Sequence, residues 1–350
     1  MEKIAEPFQQ ASEVHTRNTT IAFPFGFVRD IHNRTVLLKW GNWVVASYGP
    51  AMATSFFFGF LAAAWYDLMS GQPVAGKLFF YLCVAVPCIL VGCRVTSILL
   101  DWRELFRSPL RTILKPGYML QGGIMGAALA IVGYGWFTNT SLLAALDAGA
   151  FGVTLGEAIG RLGCYVYGCC WGKPIQGNLS RRWGVRYTSP SAKVLRCAPH
   201  LHNVPLHPAP IYAFAAYSLL FISFCFALPH IQYDGFLVSS YLIVHPLIRM
   251  VLERFRDDDR GNVVGTITHT NLYSLFMLFA GLLIFGYSDI RATRVDHPLS
   301  FAGLLSPSLV FQDGSIVAWL SGIALAAFAA FGLHYRQVGT WLGNHDKPSS

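Results

Sequence analysis

Apolar residues run along most of this chain in stretches close to the roughly 20 residues that a helix needs to cross a bilayer. Such stretches cover 43–66, 78–100, 118–137, 142–160, 208–228, 236–252, 271–287 and 315–334, the last one following a polar, proline-containing segment at 288–314. In hydrocarbon every backbone polar group must be paired internally, so only helices and closed barrels span a membrane. These runs are too long and continuous for the alternating strands of a barrel. The pattern predicts an all-α polytopic integral membrane protein, a bundle of seven to eight transmembrane helices. It divides the chain into a polar N-terminal tail (1–42), a seven-span membrane domain (43–290) and a C-terminal extension with one extra helix (291–350). The only apolar patch in the tail, Ile21 to Val28, is too short for a signal-peptide core. The tail is therefore expected to be retained and to lie on the membrane surface.

Composition agrees with this reading: 54% of the 350 residues are hydrophobic and 13% charged, about half the charged share of a soluble domain. The net charge of +8 does not indicate nucleic acid, because no basic run interleaves with stacking aromatics. Anionic lipid is the expected partner of that charge. The positive residues are concentrated on one side of the bundle. Five lie in the tail, four in 101–117, six in 171–207 and three in 254–270, whereas the other side holds only Lys77, Arg291 and Arg294. By the positive-inside rule the crowded face is cytoplasmic.

Of eight cysteines, Cys83, Cys88, Cys93 and Cys225 fall in apolar runs, where Cys behaves as a small hydrophobe. Cys164, Cys169 and Cys170 cluster, but without the paired C-x-x-C spacing of structural zinc sites. An adjacent pair would also form a strained disulfide, which argues against a thiol-redox protein. The spacing points to no metal and no other cofactor.

Charged side chains inside a span are costly and mark function or structural pairing. Arg94, Asp147, Glu157, Arg161, Arg249 and Glu253 all fall in or at the ends of spans. The segment 156–173, GEAIGRLGCYVYGCCWGK, carries five glycines around Arg161. If it is helical throughout, Arg161, Cys164, Gly168 and Gly172 share one face. A guanidinium beside bare backbone suits a phosphate, since its planar fork donates two parallel hydrogen bonds. The competing reading is close helix packing with Arg161 in a structural ion pair. Arg249, Glu253 and Arg256, at i, i+4 and i+7, form a second constellation in which Glu253 can orient both arginines. Arg161 and Arg249 together make a two-arginine clamp at headgroup depth. Gln121 precedes the pair Gly122-Gly123, and His207-Pro208 with Tyr212 opens the fifth run, where His207 can be a base or a cap.

Taken in order, these residues match a known pattern. Tyr48-Gly49, Ser108-Pro109, Gln121-Gly122-Gly123-Ile124-Met125-Gly126, Gly160-Arg161-Leu162-Gly163 with Gly168 and Gly172, His207-Pro208 with Tyr212, and Arg249, Glu253 and Arg256 follow one another along residues 48 to 256. In this the chain resembles the prolipoprotein diacylglyceryl transferases. These are seven-span bacterial membrane enzymes that move a diacylglyceryl group from phosphatidylglycerol to a cysteine thiol of an exported lipoprotein precursor. The resemblance implies an enzyme of the bacterial inner membrane, with phosphatidylglycerol or another anionic phospholipid and a lipoprotein precursor as partners. Arg161, Arg249, Gln121 and Glu253 would then be catalytic. Tyr48, Gly122, Gly123, Cys164, Gly168, Gly172, His207, Tyr212 and Arg256 would line the lipid site.

The departures are specific. Gln121 stands where the family has a histidine, Cys164 and Cys169 where it has Asn and Glu, and Ala213 where it has Glu. An amide cannot accept a proton at neutral pH, so the base is His207 or Glu157, or the acceptor differs. The family meets its acceptor on the outer face of the membrane, opposite to the orientation implied by the positive charges. The lost histidine and the charge count favour a cytoplasmic acceptor. The alternatives are thus a related lipid-modifying transferase with a non-lipoprotein acceptor, or an anion or lipid carrier. The chain shows no internal repeat of the kind many carriers have.

Overall fold

The computed structural model describes residues 31–72, 74–114, 119–138, 140–175, 177, 184–231, 233–257, 262–264, 267–291, 311–336 and 338. Among these, eight long helices fall on the eight apolar runs. They are α1 (Tyr48–Met69), α2 (Ala75–Phe80, a π-helical turn at Tyr81–Ala85, then Val86–Leu100), α3 (Leu120–Thr138), α4 (Leu142–Tyr167), α5 (Ala209–Ala227), α6 (Phe236–Glu253), α7 (His269–Arg291) and α8 (Gly314–Gly332). Six have the length and composition to cross a bilayer; α3 and α7 carry shorter apolar stretches, Gly122–Thr138 and Asn271–Tyr287. Large apolar side chains such as Leu129, Trp136, Phe137 and Leu219 are exposed. In a bilayer these face hydrocarbon and the headgroup boundary rather than water.

Two boundaries differ from the sequence pattern. Residues 43–46 are not helical: Trp43–Ala46 forms β2, paired antiparallel with β1 (Val36–Trp40). Aromatic and β-branched residues favour a pleated strand over a helix start. Most of the expected tail, residues 1–30, lies outside the described residues. The fourth helix also runs on past residue 160 to Tyr167, because Gly160 and Gly163 are where α1 approaches. A Cβ on Gly163 would lie 2.9 Å from that of Ala51 and 3.3 Å from the Tyr48 ring.

Small residues bring the helices together, as expected where apolar lipid supplies no hydrophobic drive between them. The α1–α4 contact runs through Gly59, Gly152 and Gly156, and Ser55 Oγ donates to the Gly156 carbonyl at 2.6 Å. Several buried charges have structural roles. Asp147 accepts from the backbone N–H groups of Gly235 (2.7 Å) and Val238 (2.8 Å), capping the start of α6. Lys77 and Asp67 form a buried ion pair at 2.6 Å between α2 and α1. Arg94, only partly buried, donates to the carbonyls of Thr112 and Ile113 at the end of a short helix, Pro109–Leu114.

Between α6 and α7, β3 (Asn262–Val264) and β4 (Ile267–Thr268) pair antiparallel. After α8 the chain forms β5 (Leu333–Tyr335), which adds to the first hairpin so that the sheet order is β1-β2-β5. A strand preceding the first helix thus pairs with one following the last. Both ends of the helical series therefore lie on one side, which requires an even number of crossings. On that side the chain between α4 and α5 forms a folded layer. Gly172 bridges Arg256, and Leu206 bridges both Pro174 and Val185. Trp171, Val185, Tyr187, Val194, Leu195 and Leu206 supply its core.

Candidate active site

The site is built from the ends of α4 and α6, the start of α5 and the layer above them. On α4, Glu157 and Arg161 are one turn apart and form a buried ion pair. Glu157 has two further partners on α6: the Tyr241 hydroxyl donates to its Oε2 at 3.1 Å, and His245 Nδ1 lies 3.1 Å from the same oxygen. The Arg161 guanidinium lies over the ring of Tyr217 from α5, 5.3 Å from its centroid. Tyr217 stacks in turn on His245, with centroids 5.4 Å apart. Burying Glu157 and Arg161 costs solvation, which this set of contacts offsets. Arg249, one turn beyond His245, is buried, with Nη2 3.9 Å from Glu253 Oε2.

Two buried donors beside this network, Arg161 Nε and the Tyr217 hydroxyl, have no hydrogen-bond partner among the described residues. A buried polar group without a partner costs about 1–3 kcal/mol, and more when charged. An acceptor supplied by a ligand would remove that cost.

The extended segment after α4 brings the second group of sequence-predicted residues together. Gly172 lies between the backbones of residues 207 and 255. A Cβ there would collide with the His207 carbonyl and come within 2.9 Å of the Phe255 carbonyl. Glycine is required at this crossing by space alone. His207 Nδ1 is 3.2 Å from the Tyr212 hydroxyl, and both rings face Phe255 at 5.5 and 5.6 Å. Partial burial lowers the pKa of His207, so the imidazole is neutral at neutral pH. Arg256, joined to Gly172 by a bridge, is buried.

The expected shared faces do not extend as far as the spacing suggests. Helix α4 stops at Gly168, which is left-handed (φ 71°), so Gly168 and Gly172 leave the face that carries Arg161 and Cys164. Likewise α6 stops at Glu253, so Arg256 lies beyond the helix and is joined to the layer at Gly172. Gly122 and Gly123 are packing residues: a Cβ on Gly122 would collide with the Gly92 carbonyl, and one on Gly123 would lie 2.6 Å from Cys93 Sγ. The side chain of Gln121 lies outside the described residues. Tyr48 opens α1 with its ring 5.1 Å from that of Tyr167, in a cluster with Cys164 and Cys169. Cys164 and Cys170 thiols together with burial push the Cys169 thiol upwards, so it is protonated.

Three members of the network, His245, Tyr217 and Tyr241, lie outside the residues expected from sequence. His245 carried a signal, an ionisable residue inside an apolar run and one helical turn before Arg249. Tyr217 and Tyr241 carried none, because a tyrosine in an apolar span looks like core.

Residues 35–287 match the family model described as prolipoprotein diacylglyceryl transferase. The chain belongs to that family. Three relatives carry the name phosphatidylglycerol–prolipoprotein diacylglyceryl transferase. The one from Clostridium tetani is 30% identical over 206 residues, which are 58% of this chain and 77% of the relative. One from Clostridium perfringens, numbered 2, is 25% identical over 221 residues, 62% of this chain and 81% of its own. One from Rhodospirillum centenum is 27% identical over 263 residues, 71% of this chain and 89% of its own. The matched span holds β1, β2 and helices α1 through α6, and so every element that builds the site. Helix α8 and β5 lie beyond it.

Proposed function

We propose that this protein is a phosphatidylglycerol-dependent diacylglyceryl transferase whose acceptor is the cysteine thiol of a lipoprotein precursor. The observation that carries the reading is the pair of buried, unpartnered donors, Arg161 Nε and the Tyr217 hydroxyl, beside the buried Arg249. A lipid phosphate entering between α4, α5 and α6 supplies the missing acceptor. In the reaction the thiol sulfur attacks the glyceryl carbon that bears the phosphate. A C–S bond forms, the C–O bond breaks and glycerol phosphate leaves. Negative charge grows on the departing phosphate, and cations already fixed in a water-poor site stabilise it there more than they would in bulk water. Arg161 and Arg249 do this work, Glu157 and Glu253 orient them, and Gly172 and Arg256 close the site from above. Of the two bases the sequence allows, Glu157 is committed to Arg161, Tyr241 and His245. His207, neutral and half-buried, is left to take the thiol proton.

The protein acts in the bacterial inner membrane with its folded layer on the outer face. The arginine excess of that face does not oppose this. Arg186 donates to the Asn203 carbonyl at 2.6 Å, and Arg196 donates to the Val338 carbonyl at 3.1 Å and the Tyr167 hydroxyl at 2.9 Å. Both residues are fixed by the fold of the layer, so their presence there does not by itself report orientation. In vesicles containing headgroup-labelled phosphatidylglycerol, the purified protein should release labelled glycerol phosphate only when a cysteine-containing lipoprotein peptide is present. Release without any thiol peptide, or lipid binding with no release, would remove the transferase reading.

A further inference from the structure

Three cysteines lie where the fourth helix turns into the layer, and the function above uses none of their sulfurs. The turn itself gathers them. Left-handed Gly168 reverses the chain, the Cys169 N–H returns to the Cys164 carbonyl at 3.1 Å, and Cys170 follows with its own left-handed backbone (φ 58°). For a residue with a side chain that conformation is strained, and surrounding structure must hold it. The Val194 N–H fixes the turn from outside by donating to the Gly168 carbonyl at 3.0 Å. As a result the three Sγ atoms all lie within 4.8 Å of one another. Cys164 and Cys169 are buried, and Cys170 is partly exposed, which leaves a way in.

We propose that Cys164, Cys169 and Cys170 form a three-sulfur site for a thiophilic d10 cation, Zn(II) or Cu(I). Metal–sulfur bonds of about 2.3 Å place three sulfurs about 4 Å apart around a trigonal ion. The observed spacing requires movements of less than about 1 Å to reach that geometry. Soft thiolate donors select these ions over Mg(II) or Ca(II). On binding, three S–H bonds give way to three S–metal bonds and the protons pass to solvent, leaving a complex with net negative charge. Arg161 and Lys193, whose positive charges act on these sulfurs, balance it. The C-x-x-C spacing that structural zinc sites use is absent, and here the left-handed turn replaces it. A disulfide would use only two of the three sulfurs. This site stands independently of the transferase reading.

The test uses the full chain, purified in detergent, reduced, desalted without oxygen and titrated separately with Zn(II) and with Cu(I) against a competing chelator. Co(II) serves as a spectroscopic stand-in for Zn(II). One ion per chain should bind, and Co(II) should show thiolate-to-metal charge-transfer absorption. Affinity should fall about 100-fold or more in Cys169→Ser and stay unchanged in Cys197→Ser, which alters a cysteine outside the cluster. Should Cys169→Ser fail to fold, Cys170→Ser changes the more exposed ligand, and loss of binding with an unchanged thermal melt carries the same meaning. Tighter binding of Cu(I) identifies a three-coordinate site, and tighter binding of Zn(II) one completed by water. Less than one equivalent of either ion, no charge-transfer band, or undiminished affinity in both serine variants overturns the proposal.

Discussion

The guanidinium of Arg161 pairs with Glu157 along its own helix and lies over Tyr217 from the next one, so its position is fixed before any lipid arrives. A lysine at 161 keeps the charge but loses the planar fork and the stacking. Arg161→Lys should therefore reduce turnover nearly as far as Arg161→Ala, by roughly 10²- to 10³-fold, the usual effect of removing a transition-state donor. Tyr217→Phe keeps the ring and removes the hydroxyl; it should fold normally and lose about tenfold in turnover, the effect of roughly 1.4 kcal/mol. Steady-state assays with both variants check this, and full activity in Arg161→Lys would contradict paired hydrogen bonding. At this scale the sequence was informative where charge stood out against an apolar background, as at Arg161, Arg249 and Glu157. It was silent at Tyr217, whose role depends on which helix lies opposite. At Gly122 and Gly123 it did not reveal that glycine serves the contact between α3 and α2.

The eight helices were legible because a membrane span must be long and apolar whatever it packs against. Their ends were less so. Helix α4 overran its expected end because its glycines meet α1 instead of breaking the helix, and the second partner of β2, β5, lies almost 300 residues further along the chain. The Asp147 cap illustrates what periodicity cannot reveal: a buried acid on α4 completes the first turn of α6. Asp147→Ala leaves two backbone N–H groups without acceptors and should cost about 2 kcal/mol, visible as a lower melting temperature with the site otherwise intact. The clasp of β2 and β5 should respond to pH. Burial and the nearby Arg196 charge lower the pKa of His334 on β5 to about 4, whereas a released strand titrates near 6.5. Between those values the released strand binds a proton that the paired strand does not, so pairing weakens as pH falls from about 6.5 towards 4. Amide exchange in β2 and β5, corrected for its intrinsic pH dependence, should accelerate through that window in the wild type and not in His334→Phe.

Pairing of β2 with β5 fixes the number of crossings as even and places both strands on the side of the site. Which side that is decides the acceptor. With the native cysteines replaced, single cysteines at exposed positions, Thr188→Cys on the layer and Thr138→Cys at the far end of α3, report it directly. An impermeant thiol reagent on intact cells should label the first and not the second. The reverse pattern would place the site in the cytoplasm and exclude an exported acceptor. Charge counting points to the cytoplasm, and a sequence does not distinguish an arginine that holds a folded layer from one left in a loop. The most direct test of the central claim is mass spectrometry of a lipoprotein peptide with one cysteine, incubated with the protein in phosphatidylglycerol vesicles. A thioether-linked diacylglyceryl adduct on that cysteine, formed by the wild type and lost in Arg161→Ala, is the predicted result. No adduct with the wild type, or an adduct undiminished in Arg161→Ala, would contradict it.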